Sequence, residues 1–312
     1  MKKICIPFLL VLFIFNVNTV NLALSSDMAG FNFLRTHVGA RYSAIAGAAV
    51  AIPGDIHSIY YNPAGLASID KQIGSVTYLN HVLDFHSGFL GYAQFLQGIG
   101  TIGFGINYID YGSFDETNDQ GVKSGRTFGA NCFVVTASIS NELFPGVLGG
   151  VNLKYIRSAI DNYTADAYAF DAGVIYRVPF IEDLDIGLTV LNMGKSNSAF
   201  IDTKEDLPLK IAGGFSKKLA HLPLLFNANI YKFIDDDFQF AAGGEFNLAE
   251  GLYLRLGYDS IGRDQKVNGN KDSIAGFSIG LGFNWKDYQL DYALSSLGDV
   301  GSLNRVSFST NF

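Results

Sequence analysis

The sequence predicts an all-β fold: a transmembrane antiparallel β-barrel of about fourteen strands with a small helical N-terminal plug, or hatch, inside it. Three observations lead to this prediction. The chain begins like a secretory signal peptide, its composition is rich in apolar residues and glycine, and apolar and polar residues alternate from about Gly74 to Phe312. We therefore divide the chain into a signal peptide, 1–26, a hatch, 27–72, and a transmembrane β-barrel, 73–312.

The first residues have the three zones of a signal peptide. Lys2 and Lys3 precede an apolar stretch from Ile4 to Phe15, and small residues follow at Ala23 and Ser25. A retained membrane anchor is the alternative, but the apolar stretch is shorter than the ~18 residues that a membrane-spanning helix needs. We expect the chain to be exported and this segment to be removed.

The composition excludes several classes of protein. The chain is 48% hydrophobic and only 16% charged, yet no later segment has an uncharged apolar run long enough for a transmembrane helix. Acidic residues outnumber basic ones by 29 to 22 without a basic block, so nucleic acid is not an expected partner. The cysteines are Cys5, inside the signal peptide, and Cys132, so the exported chain cannot form an internal disulfide.

The alternation places apolar and polar side chains on opposite faces of each predicted strand. Leu252, Leu254, Leu256 and Tyr258 alternate with Tyr253, Arg255, Gly257 and Asp259, and similar patterns place Glu245 and Asp291 among the polar neighbours of apolar residues. A water-soluble sandwich also alternates. Aromatic residues at strand ends favour the barrel, because they are typical of membrane interfaces: Tyr78, Tyr108, Tyr176 and Trp285.

Loop lengths support a barrel topology. The predicted strands begin near Gly74, Gly88, Ile99, Gly125, Gly146, Asp166, Asp183, Leu209, Pro223, Asp237, Gly251, Ile274, Lys286 and Ser302. The long polar connections are predicted at Asp110–Ser124, Asn192–Pro208 and Ser260–Ser273, all after odd-numbered strands. Because outer-membrane barrels combine short periplasmic turns with longer outside loops, this pattern predicts a periplasmic N-terminus.

The last predicted strand has an aromatic residue at its end. Val306, Phe308, Thr310 and Phe312 alternate with polar residues. We interpret Phe308 and Phe312 as a membrane-insertion signal for an outer-membrane barrel. The alternative is an ordinary C-terminal strand.

The hatch region lacks strand alternation. Gly39–Ala51 is a run of small residues that predicts a short helix ending at Pro53 and Gly54. Tyr60–Ala67 reads YYNPAGLA, in which Asn62 and Pro63 provide turn chemistry. Small side chains in this helix, such as Gly47 and Ala48, would allow close packing against the wall.

Together these residues resemble the PorV/PorQ family within the FadL-like superfamily of outer-membrane barrels. The resemblance rests on the GAR segment, the small-residue helix, the spacing to one acid and the NPAGLA run. The candidate hatch residues are Gly39, Ala40, Arg41, Gly47, Asp55, Asn62, Pro63, Ala64, Gly65 and Leu66. The resemblance implies a hatch folded into the barrel, on the periplasmic side.

The resemblance implies two functions and does not separate them. PorV-like members act with the type IX secretion apparatus, so the first expectation is protein secretion or surface attachment, with secretion-system components and exported cargo proteins as partners. The alternative is a FadL-like channel for hydrophobic small molecules. Both expectations place the chain in the outer membrane, in contact with its lipid, as a protein that is not an enzyme.

No motif in the sequence predicts a catalytic residue, a metal site or a cofactor. His81 and His86 flank Asp84 beside Ser87, but their spacing gives weak support to a membrane hydrolase. The oxygen-rich loops do not have the spacing of a calcium-binding loop: Asp235, Asp236 and Asp237, and Asp264, Asn268, Asn270 and Asp272. The glycines from Gly276 to Gly282 belong to a strand and do not predict nucleotide binding.

Overall fold

The computed structural model describes residues 29–81, 85–234, 236–265, 269 and 271–312. The predicted signal peptide, 1–26, lies outside these residues. So do Asp84, Asp235, Asn268 and Asn270, and the side chain of Asp264.

Fourteen antiparallel strands form a closed barrel in which each strand pairs with its sequence neighbours and β1 pairs with β14. The strands are β1 (Ile73–Asn80), β2 (His86–Leu96), β3 (Gly100–Thr117), β4 (Lys123–Phe144), β5 (Val147–Ile160), β6 (Tyr163–Arg177), β7 (Leu184–Ser196), β8 (Lys210–Lys218), β9 (Leu224–Phe233), β10 (Gln239–Ala249), β11 (Leu252–Asp259), β12 (Phe277–Trp285), β13 (Tyr288–Ser296) and β14 (Ser302–Asn311). The predicted strand number is confirmed, and every strand begins within three residues of its predicted start. Closure leaves no sheet edge unpaired, as a membrane requires.

The two faces of the wall differ as the alternation predicts. In β14, Val306 and Phe308 are 44% and 41% exposed, whereas Arg305 and Ser307 are 2% and 0% exposed. Exposed large apolar side chains recur on every strand, which gives the outer face the character of a lipid-facing surface. The inner face is largely buried and carries polar side chains together with apolar ones such as Ile109 and Ile156.

The prediction of a long loop at Asp110–Ser124 is wrong. Strand β3 continues to Thr117 and β4 begins at Lys123, so only a tight turn joins them. A register shift between Asp110 and Ser113 lets the pairing resume beyond it, and Lys123 pairs with Asp115 at 2.5 Å across the hairpin. Because both faces of these strand ends carry polar side chains, the strand ends lack the apolar–polar alternation on which the prediction was based. The longest connections are 197–209, after β7, and 260–276, after β11.

The N-terminal segment, residues 29–72, is mainly short helices and turns. It contains a 3₁₀ helix (Ala29–Arg35), α1 (Ala40–Ala44), α2 (Ser58–Tyr61) and a second 3₁₀ helix (Pro63–Ser68). The predicted helix over Gly39–Ala51 is therefore too long. It ends after Ala44 because Ala46 and Gly47 take positive φ angles of 55° and 73°, and the Gly47 N–H donates back to the Tyr42 carbonyl at 2.9 Å.

Three further 3₁₀ helices lie in the connections after β11 and β13: Ser260–Gln265, Asp272–Ile274 and Gly298–Val300. In the part of the chain that the structure describes, no helix has the length and apolar character needed to cross a membrane.

Candidate functional site

The N-terminal segment lies in the lumen and contacts opposite sides of the ring. Helix α1 packs against β11–β14, whereas the 3₁₀ helix Pro63–Ser68 packs against β3–β6. These strand groups face each other across the closed barrel. We call the end of the barrel that carries the connections after odd-numbered strands the upper end, and the opposite end the lower end.

The segment extends through the lumen from the upper end to the lower end. Phe31 and Phe33 pack with Ile109 and Ala165, which lie on the upper halves of β3 and β6. At the lower end, the carbonyl of Gln72 accepts the backbone N–H of Phe312 at 2.9 Å. The segment therefore contacts the wall near both ends of the barrel.

Glycines in the wall allow the backbone of the segment to approach it closely. A Cβ added at Gly243 would lie 2.6 Å from Ile45, and one added at Gly257 would also collide with the Ile45 backbone. Farther around the ring, on β7, a Cβ at Gly187 would meet the Val50 carbonyl. Glycine inside a strand commonly marks such a close approach of another backbone.

The small residues of the predicted Gly39–Ala51 helix lie in tight surroundings. Gly39 has a φ of 78°, and a Cβ there would lie 2.5 Å from the His57 ring. Gly47, with a φ of 73°, is equally close to the His37 ring. Ala40 is completely buried, and its N–H donates to Ser307 Oγ at 2.8 Å.

Arg41 and Asp55 come together in the lumen and connect the segment to the wall. Arg41 Nη1 donates to Asp55 at 3.0 Å, while Nε and Nη2 donate to both oxygens of Glu245 on β10 at 2.9 and 3.0 Å. Arg255 joins the same network, because it donates to Glu245 at 2.5 Å and to Asp291 at 2.6 Å. The bidentate geometry gives this docking contact strength and direction.

Asp55 is fixed by several donors. Its Oδ1 accepts the His57 backbone N–H at 2.8 Å and lies 2.9 Å from His57 Nδ1. Burial alone would raise the pKa of Asp55, but the charge and hydrogen bonds of His57 and the charge of Arg41 outweigh it and hold that pKa well below its usual range. Asp55 is therefore an anion in the docked segment.

Asn62 stabilises the turn that begins the NPAGLA run and ties it to the wall. Its Oδ1 accepts the Ala64 N–H at 3.1 Å, while Nδ2 donates to the Val50 carbonyl at 2.7 Å. The same Nδ2 lies 3.2 Å from the Val174 carbonyl and 3.4 Å from the Leu188 carbonyl, which belong to β6 and β7. Asn62 thus contacts two parts of the segment and two strands.

The rest of the NPAGLA run packs against the opposite wall from α1. Pro63 is the first residue of the 3₁₀ helix, where its missing N–H costs nothing. Ala64 and Leu66 are completely buried. Gly65 has no room for a side chain, because a Cβ there would lie 2.5 Å from Ser58 Oγ.

The segment also contacts the seam where the first and last strands meet. Ser307 on β14 accepts the Ala40 N–H, and its Oγ lies 2.7 Å from Thr77 Oγ1 on β1. His57 Nε2 lies 3.3 Å from the side-chain oxygens of both Thr77 and Ser75. We call this set of contacts the seam cluster.

Phe308 and Phe312, the predicted insertion signal, point away from the lumen. They are 41% and 67% exposed on the outer face of β14 and at its end. This placement leaves their role in insertion a prediction.

A cavity of about 330 Å³ lies between the segment and the upper end of the wall. Arg35 and His37 contribute from the segment, while Lys210, Tyr231 and Arg305 contribute from the wall. The remaining lining includes apolar and hydroxyl side chains: Phe233, Ile261, Leu297, Leu303, Ser278, Ser295 and Ser296. Such a mixture is typical of small-molecule sites.

In the described part of the chain, His81, which follows β1, and His86, the first residue of β2, have different partners. His81 Nε2 lies 2.9 Å from Ser87 Oγ, whereas His86 Nδ1 lies 2.8 Å from the Tyr78 hydroxyl. Burial, and then the charges of Arg305 and His86, lower the pKa of His81 to about 4. Among the side chains that the structure describes, no carboxylate lies against either ring. In the same part of the chain, no group of three or more His, Cys, Asp or Glu side chains could hold a metal ion.

The sequence motifs missed the wall residues of the site. Glu245 binds Arg41 of the segment, Arg255 and Asp291 extend the same network along the wall, and Lys210 and Arg305 line the cavity. The signal that could have found them is a charge at an inward position of an alternating strand. Such a charge is expensive in a barrel wall unless it has a partner in the lumen.

Comparison with known proteins shows similarity in structure but not in sequence. No protein-family model and no curated protein matches the chain. The toluene transporter TodX of P. putida matches with a TM-score of 0.59 and 12% identity, over 88% of this chain and 98% of that one. The toluene transporter TbuX of Ralstonia pickettii matches with a TM-score of 0.60 and 13% identity, over the same shares of the two chains.

A FadL homologue from Pseudomonas aeruginosa also matches, with a TM-score of 0.56 and 13% identity, over 88% of this chain and 98% of that one. These comparisons support the FadL-like half of the predicted resemblance. The PorV/PorQ half is not confirmed by them. The chain therefore shares the closed-barrel fold of these solved structures.

Proposed function

We propose that this chain is an outer-membrane channel for hydrophobic small molecules and that its N-terminal segment is the hatch of that channel. The observation that carries the proposal is the cavity between the segment and the wall, inside a closed barrel with a lipid-facing outer surface. A solute in this cavity would contact aromatic and aliphatic side chains on one side and the segment on the other.

The fold supports this reading over export. The structural neighbours named as toluene transporters share the barrel, and their names describe the passage of small apolar molecules rather than of proteins. CymD, a monoaromatic hydrocarbon channel, matches with a TM-score of 0.59 and 9% identity.

The contacts of the segment suggest how the channel is gated. The segment contacts the wall through several separate apolar clusters and through directional polar contacts, among them those of Arg41 and Asn62. A rearrangement limited to some of these contacts would let part of the segment move while the strands stay paired. We therefore assign the gate to the segment and the passage to the lumen.

The proposal is tested by toluene flux through the purified protein in liposomes whose outer leaflet is lipopolysaccharide, because toluene crosses a plain phospholipid bilayer unaided. Ser278→Trp would place a large ring in the cavity, because Ser278 points inward and lines it. The matched control is Ile279→Trp, one residue along β12 on the outer face, where the side chain is 45% exposed. We expect toluene flux above that of empty liposomes, reduced by the first change and unaffected by the second.

Equal toluene entry into empty and protein-containing liposomes would refute the channel. Flux that falls equally in both variants would show that it does not use this cavity.

The export reading keeps one supporting observation, the resemblance over Gly39–Ala67. It predicts that crosslinking in intact cells captures secretion-system components or exported cargo proteins with the barrel. Recovery of the barrel alone, in repeated experiments, would count against it.

A further inference from the structure

An apolar groove lies on the outer face of the wall, across β7, β8 and β9. It has a volume of about 470 Å³ and is lined from these three strands by Leu188, Ile211 and Ile230. Ile234 and Phe238, which lie in the connection after β9, line its upper part. The groove is separate from the cavity in the lumen, because these apolar side chains are exposed on the outside of the ring.

The groove exists because a glycine takes an outward position on β8. Gly213 pairs with Leu188 on β7 and with Ile230 on β9, whose side chains are 60% and 62% exposed. Residues that pair directly across neighbouring strands share a face of the sheet, so Gly213 also faces outward. Between these two large side chains it leaves a gap in the apolar surface. A linear apolar chain fits such a gap, whereas a flat apolar surface does not.

Lys232 brings a positive charge to the upper part of this groove. It lies on the outer face of β9, because it alternates with Tyr231 and Phe233, which are buried on the inner face. Its Nζ lies 5.5 Å from the centre of the Phe238 ring. Within the part of the chain that the structure describes, no carboxylate lies within 4.0 Å of it. The described lining of the groove is therefore apolar apart from one cation that is not neutralised.

A lysine on the lipid-facing side of a barrel needs an anionic partner or access to the headgroups. The upper end carries the longest connections, 197–209 and 260–276, and such connections lie outside in outer-membrane barrels. Lys232 is one residue before the end of β9 and is therefore near the headgroups of the outer leaflet. A phosphate at this level would accept a charge-assisted hydrogen bond from the ammonium, while an acyl chain of the same molecule would fill the groove below it.

We infer that this groove binds lipid A of the outer leaflet, with an acyl chain along Gly213 and a phosphate on Lys232. Lipid A has both features that the groove calls for, because it is a phosphorylated sugar that carries acyl chains. The charge selects the phosphate, and the gap at Gly213 holds the chain in one place on the wall.

A second copy of this chain does not complement the groove in the same way. A two-fold dimer brings the same surface of both copies together, so it would place two Lys232 ammonium groups in one apolar contact. The inference goes beyond the proposed channel function and does not depend on it, because the groove is on the outer face and the passage is in the lumen.

The experiment is native mass spectrometry of the folded barrel, titrated in non-ionic detergent with one lipid at a time. Monophosphoryl lipid A is the probe, and diacylglycerol is the counterpart that has acyl chains but no phosphate. We expect the first molecule of lipid A to bind more tightly than diacylglycerol. Lys232→Gln should weaken lipid A binding at least about fivefold, which is ~1 kcal/mol, the contribution of one lysine near an anionic membrane surface. Gly213→Leu, which fills the gap, should weaken the binding of both lipids.

Each variant has a matched control. Lys286→Gln removes a lysine that also lies over an aromatic ring, that of Trp285, but at the lower end of the barrel. Gly244→Leu adds the same side chain at an outward glycine of β10. A Cβ at Gly244 would meet the end of the Leu224 side chain, just as one at Gly213 would meet the end of another leucine. Both controls should leave lipid A binding unchanged.

Equal lipid A binding by the wild type and by Lys232→Gln would overturn the inference, and so would diacylglycerol binding as tight as that of lipid A. A dimer that forms without lipid and that Gly213→Leu dissociates would show that a second copy takes the groove instead. Folding of all variants is checked by heat-modifiable migration. If Gly213→Leu does not fold, Lys232→Glu decides. It should weaken lipid A binding more than Lys232→Gln does, because it places a like charge against the phosphate, and equal binding by these two variants would contradict the phosphate contact.

Discussion

Replacing Arg41 with methionine should release the N-terminal segment from the wall without dissolving the barrel. Arg41 is the direct ionic link between Asp55 on the segment and Glu245 on β10, through three hydrogen bonds of 2.9–3.0 Å. Methionine keeps much of the aliphatic length but none of the donors. The barrel strands do not depend on this contact, because their backbone pairs are closed around the ring.

The structure sets the size of the effect. Removing one partner of a buried ion pair typically costs ~3–5 kcal/mol, because the other charge stays buried without compensation. Glu245 would keep Arg255, and Asp55 would keep His57, so the lower end applies, about 3 kcal/mol. Because ~1.4 kcal/mol changes an equilibrium constant tenfold, the population of the released state of the segment should increase roughly a hundredfold.

The assay is thiol labelling of a cysteine placed at Ser43, which is completely buried in α1. Cys132 is also buried and would be replaced by serine in all variants. We expect Arg41→Met to speed labelling by about a hundredfold. The control is Arg126→Met: Arg126 pairs with Glu116 and Asp161 at the exposed hairpin, where an ion pair contributes only ~0–1 kcal/mol. Equal labelling in the wild type and in Arg41→Met would refute the ionic docking of the segment.

Three further predictions concern pH, packing and the C-terminus. Burial, and then the charges of Lys210 and Arg305, lower the pKa of His37 to about 3. Because the docked segment holds His37 neutral, this residue stabilises docking fully above its ordinary pKa near 6.5, and that stabilisation is lost as the pH falls toward 3. Labelling of the cysteine at position 43 should therefore become faster from pH 7 to pH 5. His37→Gln should make the labelling rate depend less on pH. Ala48 is buried beside Tyr231, so Ala48→Trp should lower the free energy of docking of the segment by ~1–3 kcal/mol. The variant should still insert into the membrane but show a changed channel conductance. Failure to insert would mean that the segment is part of the folding core of the barrel. Deleting Phe312, whose N–H bonds Gln72, should lower the yield of heat-modifiable barrel, and an unchanged yield would refute its role in assembly.

The strands could be predicted from the sequence because each has its own alternation. In β11, Leu256 is exposed and Arg255 is buried, as the period of two requires. The pattern failed where the environment no longer separates two faces. Around Asp115, both faces of the β3–β4 hairpin meet water, so polar residues there indicated a loop although the backbone pairs.

The candidate site could be predicted only in part, because its contacts join residues that are far apart in the chain. The composition of Gly39–Ala51 indicates close packing, but nothing local shows that Arg41 meets Glu245. That contact depends on the position of β10 in the closed ring. The helix was predicted too long for a similar reason: the turn at Ala46 and Gly47 is favoured by the wall glycines that receive Ile45.

The seam cluster has a consequence for assembly. β1 and β14 are the two strands farthest apart in the chain, so the pair between them has the largest loop to close and is entropically the most expensive to form. Ala40 and His57 contact this pair from inside, through Ser307 and Thr77. A segment already in the lumen would present these partners to both strands and lower the entropic barrier to their meeting. The N-terminal segment would then act as a template on which the barrel closes. A chain that begins at β1 should therefore form the β1–β14 pair more slowly than the whole protein.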